Sequence, residues 1–200
     1  MSRSGSDYES LHDAVKLAIS RGTVVVAAAG NSDPWCDIWS PANYEEVICA
    51  AGSTYSMAPW EDSSRGPEVT TAAPAYSVYR ARTRKENNSY AFDVYRSSGT
   101  SYSTPIVAGA AALWIERHSD AAVLSRTLGG PERIAPTFKY LLRTVGIRSG
   151  KTGIPLSSGR GFLTASRYFL PHCRSQKTLQ RWTTFQGRDQ LHQDARFLSR

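Results

Sequence analysis

The chain has 200 residues, 40% of them hydrophobic and 20% charged, with a mean hydropathy of -0.39. This composition suits a globular chain of one domain plus a tail. It gives no membrane partner, because the longest apolar run, Val24 to Ala29, falls far short of the ~18–20 residues of a spanning helix. The net charge of +7 raises nucleic acid as a partner, and the three cysteines, lacking any C-x-x-C pair, exclude a zinc site and leave no cofactor to expect.

Residues 1–10 form a polar lead-in, and residues 11–21 read as a helix. Leu11, Ala14, Val15, Ala18 and Ile19 recur at helical spacing, and Gly22 supplies the stop. Residues 22–32 follow as Gly-Thr-Val-Val-Val-Ala-Ala-Ala-Gly-Asn-Ser. An apolar, β-branched run ending in Gly-Asn predicts a buried parallel strand over 23–29 feeding a turn at Gly30 and Asn31. A second core strand is predicted over 46–51. Trp35, Trp39, Tyr44 and Trp60 cluster in the segment after Asn31, and packing is the ordinary role of such residues. Residues 66–96 read as strands with a hairpin, in which Tyr76 to Tyr79 and Tyr90 to Tyr95 flank a basic turn at 80–85.

Residues 99–109 are Gly-Thr-Ser-Tyr-Ser-Thr-Pro-Ile-Val-Ala-Gly. An apolar, Ala-rich stretch follows the serine, so a buried helix is predicted over 102–117 with Ser101 at its N-terminus. Unpaired N–H groups and partial positive charge gather there and favour negative charge developing nearby. A serine in that place is ordinarily an N-cap, but it is also well placed for a nucleophile whose attack creates an oxyanion. A further helix is predicted over 137–145, apolar at 138, 141, 142 and 145. The last 30 residues are polar and rich in Gln and Arg.

The eleven residues 99–109 fill every fixed position of the nucleophile motif of the subtilisin-like serine proteases, G-T-S-x-[SA]-x-P-x-V-A-G. Residues 22–32 are similar to the strand of that family that ends in V-V-A-A-G-N. The resemblance implies that Ser101 is the nucleophile and Asn31 the oxyanion donor. It also implies that Ala28, Ala29 and Gly30 wall the pocket for the residue before the scissile bond. Ser40-Pro41-Ala42, Val47 to Gly52, Ser64 to Pro67 and Ala72 to Pro74 resemble further family segments in the family's order. Ala75 stands where the family usually has Gly, and a positive φ there would be strained. Residues 159–165 resemble the G-x-G-x-[LV]-[ND]-A stretch near the end of the domain. Met1-Ser2 resembles the middle of the substrate-binding strand, which makes Ser2 a substrate-binding residue. The implied fold is a three-layer α/β domain with a mainly parallel sheet between helices. A partial catalytic domain is expected over 1–170 and a basic tail over 171–200.

The family's Asp and His motifs, D-[ST]-G and H-G-[TS], do not occur in this sequence, and only 30 residues precede Asn31. His118 lies 17 residues after Ser101, or ~25 Å along one helix at 1.5 Å per residue. His12 precedes the Asn strand, and His172 and His192 lie in the tail, so all four read as surface or structural. Without a base only ~10³–10⁴-fold residual acceleration is expected, a magnitude measured on serine proteases including subtilisin itself. The chain alone is then expected to be inactive as a serine endopeptidase. Its partners are a polypeptide substrate and the N-terminal half that carries the Asp and His. The other reading is a non-catalytic remnant that binds peptides along strand edges.

The tail after Leu170 carries six basic and two acidic residues, +4 of the total +7, and residues 80–85 add a second basic cluster. Neither accompanies a nucleic-acid-binding motif, so solvated charge is preferred over nucleic acid. Residues 99–103 fail the α/β-hydrolase pattern G-x-S-x-G because Ser103 takes the place of the last Gly. Some family members carry disulfides near the segments of Cys36 and Cys49, which leaves that pair and a free Cys173 as one arrangement. The family places part of its specificity pocket near S-P-A, where Trp39 is a candidate to narrow it. No leader segment is visible; the family is mostly secreted, and its absence fits an N-terminus that is missing.

Overall fold

The computed structural model describes residues 1, 5, 7–32, 37–118 and 120–145. Ser2, Trp35, Cys36, Cys173, His172, His192, the 159–165 stretch and the tail lie outside the described residues.

Three strands form a parallel sheet in the order β1 (Val26–Ala28), β2 (Ile48–Ser53), β3 (Val69–Pro74). Almost every residue of these strands is buried, as expected for a sheet covered on both faces. Alternation sends successive side chains to opposite layers. Ala27, Cys49, Ala51 and Ala72 pack with Val15 and Ile19 of helix α1 (Glu9–Ser20). Val26, Ile48, Ala50 and Ala73 pack on the other side with Val107 and Ala111 of α2 (Thr100–Arg117), and with Phe138 and Leu142 of α4 (Ile134–Val145). This is the three-layer arrangement expected from the sequence.

A short helix α3 (Ala121–Leu128) and a 3-10 turn (Pro131–Arg133) connect α2 to α4, and Leu124, Leu128 and Ile134 form a satellite core there. The sequence reading did not anticipate α3. It is capped by Asp120, whose side chain accepts from Val123 N at 2.8 Å, and it ends on left-handed Gly129.

The hairpin of strands β4 (Val78–Glu86) and β5 (Ser89–Ser97) stands apart as a two-stranded antiparallel sheet. Its turn is not the expected basic one. Residues 80–85 lie within β4, and the chain reverses at Asn87 and Asn88, with φ of 45° and 63°. A two-residue loop with both centres at positive φ matches the right-handed twist of the flanking strands, and asparagine tolerates that conformation.

One further expectation is corrected. Ala75 does not take a positive φ; it is fully buried, its N–H donates to Ser53 O at 2.9 Å, and Ser77 nearby carries the left-handed conformation instead. Cys49 is a free thiol buried between the sheet and α1, and burial pushes its pKa up to about 12, which makes it an inert core residue; Cys36 lies outside the described residues.

Candidate active site

The N-terminus of α2 sits against the carboxyl ends of β1 and β3. Two contacts fix it there, and a third bond steadies the first turn from within the helix. Ser103 Oγ donates to Ala73 O at 2.9 Å, Gly99 N donates to Ala75 O at 2.9 Å, and Thr104 Oγ1 donates back to Thr100 O at 3.0 Å. Crevices outside the carboxyl ends of parallel strands are where α/β proteins hold their ligands.

Asn31, three residues past β1, closes the gap between sheet and helix. Its Oδ1 accepts from Thr100 N at 2.8 Å and from Thr100 Oγ1 at 2.8 Å. A backbone N–H can only donate, so the amide oxygen must face Thr100 and the Nδ2 must face away. That Nδ2 lies over Gly99, 3.5 Å from where a side chain there would begin. Thr100 also accepts from Gly30 N at 3.3 Å and is 1% exposed. Ser101 follows directly, half-buried on the first turn of the helix. Seventy residues of sequence between Asn31 and Ser101 are thereby spanned through one threonine.

Gly30 is required by shape. Its φ is +118°, and a Cβ there would lie 2.7 Å from Ser64 Oγ. Ser64 N donates to Gly30 O at 3.0 Å, which clamps the 60–66 loop under the turn. Ala28 and Ala29 are buried beside it, and Ala29 packs into the core on the α1 side of the sheet. Trp39, weighed above as a pocket residue, is 55% exposed, whereas Tyr44 and Trp60 are buried.

Neither described histidine reaches Ser101. His12 lies on α1, across the sheet from α2, stacked on Tyr44 with ring centroids 4.1 Å apart and its Nε2 3.1 Å from Glu46 Oε2. Its role is structural, half-buried. His118 caps the far end of α2 and packs edge-on against Trp114.

Thr100, Ser103 and Ser64 are the positioning residues that sequence reasoning left without roles. The first two stand inside the 99–109 run, and small hydroxyl residues beside a candidate nucleophile are the signal that could have found them.

A serine therefore stands on the first turn of a helix packed against a parallel sheet, one residue after the threonine that anchors a side-chain amide by its oxygen. The model of the subtilase family matches residues 2–144. The chain belongs to that family of serine proteases. Subtilisin DY of Bacillus licheniformis is 35% identical over 142 residues, covering 68% of this chain and 49% of its own length. An intracellular serine protease of Paenibacillus polymyxa is 33% identical over 161 residues, covering 78% and 44%. Among solved structures, a cold-adapted subtilisin-like serine proteinase aligns with a TM-score of 0.58 at 26% identity, covering 76% of this chain and 49% of that one. The chain thus spans about half the length of each of these three.

Proposed function

We propose that this chain supplies the nucleophile and the oxyanion donor of a subtilisin-like endopeptidase, with polypeptide as substrate. The observation that carries this reading is the Asn31–Thr100 anchor, which holds the Asn31 amide by its oxygen and leaves its Nδ2 over Gly99, two residues before Ser101. In the reaction, Ser101 Oγ bonds to the scissile carbonyl carbon and its proton passes to a base. The carbonyl oxygen gains the charge and accepts from Asn31 Nδ2. The tetrahedral adduct collapses, the C–N bond breaks, and the amine leaves with the proton. Water then hydrolyses the resulting ester by the same steps. Ala28, Ala29 and Gly30 receive the side chain before the scissile bond.

His12 lies across the sheet and His118 at the far end of the helix, which supports a base contributed from outside this chain. The outer face of α2 supports the same reading. Residues 105–115 are apolar around the whole helix, yet Leu113 is 68% exposed and Ile106, Ala108 and Ala112 face outward with it. A helix apolar on every side is built to be covered on every side. The Asp- and His-bearing half of the domain is the occupant we assign to that face.

A fluorophosphonate probe tests this. The chain is expected to label slowly alone, and rapidly at Ser101 when joined to an N-terminal subtilase segment carrying the Asp and His motifs. Ser101→Ala should abolish labelling. Equal labelling of Ser101 with and without that segment would refute the shared site, and no labelling in the joined protein would favour the binding-only reading.

A further inference from the structure

The β4–β5 hairpin carries one face that is exposed among the described residues. Directly paired residues share a face. Tyr79 with Arg96, Ala81 with Val94, Thr83 with Phe92 and Lys85 with Tyr90 therefore make one surface. Every one of these residues is exposed: Phe92 at 78%, Val94 at 69% and both Tyr79 and Tyr90 at about two thirds. The other face is engaged with itself. Arg82 holds Asp93 through two bonds of 2.8 and 2.6 Å, Arg84 adds bonds to Asp93 and Glu86, and Arg82 stacks on Tyr95 at 4.3 Å. Both acids of the hairpin are thus neutralised on that side. The open face keeps Lys85 at its tip end and Arg96 at its base, where Arg96 lies 4.2 Å over the Tyr79 ring, and it carries no acid.

We propose that this face docks an extended polypeptide segment of the pattern acid-x-apolar-x-apolar-x-acid. The spacing follows from the register. Arg96 lies level with Tyr79, six residues from Lys85, so the two cations stand ~20 Å apart at ~3.4 Å per residue. An extended chain spans that distance in six residues and points alternate side chains to one side. Carboxylates at its two ends meet Arg96 and Lys85, and the apolar side chains between them meet Val94 and Phe92. A second copy of this chain fits poorly, because stacking two such faces in either direction opposes cation to cation. A single-stranded nucleic acid carries a phosphate at every nucleotide, and an apolar stretch separates the only two cations here.

The base of the hairpin leads straight into the nucleophile. Ser101 lies five positions after Arg96, at most ~18 Å of extended chain, and Ser77 N donates to Ser98 Oγ at 2.9 Å to close the base. A chain docked on the face therefore lies next to the site, and that it is also the chain presented to Ser101 rests on the function proposed above.

The test is fluorescence anisotropy with the full 200-residue chain and a labelled peptide, Gly-Glu-Thr-Leu-Thr-Phe-Thr-Glu-Gly, against the same peptide with Lys for Glu. The Glu peptide should bind and weaken with added salt. Phe92→Ser with Val94→Ser should weaken it by about tenfold or more, from lost apolar contact. Lys85→Glu with Arg96→Glu should shift preference to the Lys peptide. All four positions are exposed, so circular dichroism of the variants should match the parent. Equal binding of both peptides, or no effect of either double variant, overturns the proposal. So does tighter binding of an oligothymidylate or an anionic vesicle through the same residues. Failure here with Ser101 labelling intact refutes the docking face alone, whereas lost labelling with peptide binding intact refutes the catalytic reading alone.

Discussion

Replacing Thr100 by Val keeps the shape of a side chain that is 1% exposed and removes only its hydroxyl. That hydroxyl makes two of the bonds that join strand to helix, donating to Asn31 Oδ1 at 2.8 Å and accepting from Gly30 N at 3.3 Å. Each such bond contributes about 1 kcal/mol net, and a part-buried N–H left without its partner raises the cost, so about 2 kcal/mol of stability should go. With an m-value of about 2 kcal/mol/M, the urea midpoint should fall by about 1 M. Unfolding can be followed by the fluorescence of buried Trp60. Thr100→Ser, which keeps the hydroxyl, should lose much less. In the form completed with Asp and His, Thr100→Val should lower kcat more than it raises KM, because the loosened Asn31 amide acts on the oxyanion. The reasoning would be refuted by equal losses for Ser and Val, since the hydroxyl would then carry none of the effect.

Gly30→Ala should be worse than a loop alanine, since the φ of +118° and the 2.7 Å approach to Ser64 Oγ both oppose a Cβ; a loss of more than about 1 kcal/mol is expected in the same urea titration. Asn31→Leu in the completed protein should cost about 10²–10³ in kcat, a magnitude taken from a subtilisin itself, with substrate binding measured separately to show little change. Lys139 donates to Glu45 O and Val47 O at 2.6 and 2.7 Å, while burial draws its pKa down to about 8 from the ordinary 10.5. The unfolded chain then holds this proton more tightly than the folded one, so stability should rise with pH between about 8 and 10.5, by at most about 3 kcal/mol. Lys139→Met should lack that rise, and a rise of the same size in the variant would assign it elsewhere. Leu113→Glu with Ile106→Gln should reduce self-association of the isolated chain in sedimentation velocity, because they remove the exposed apolar face of α2.

The core strands and α2 were legible because a parallel strand and a buried helix both show as unbroken apolar runs, one strand-sized and one helix-sized. The placing of Ser101 and Asn31 followed from the short motifs around them. The link between them did not, since a threonine in a G-T-S run looks like spacing until its hydroxyl is seen between two distant segments. Helix α3 escaped because its apolar signal amounts to Val123, Leu124 and Leu128 in eight residues, although Asp120 and Gly129 were readable as caps. The hairpin was foreseen, but its basic residues suggested a turn. Strand periodicity, with Arg80, Arg82 and Arg84 on one side and Lys85 on the other, was the better guide. Trp39 shows the limit of residue type as a predictor, because its exposure depends on the path of a loop.

The outer face of α2 also bears on how long such a chain survives in a cell. Chaperones and proteases continuously triage unfolded chains, and apolar surface left open makes a chain prone to aggregate. Copies whose Leu113 face stays bare would be cleared sooner than copies in which it is covered. Turnover would then favour copies in which that face is covered.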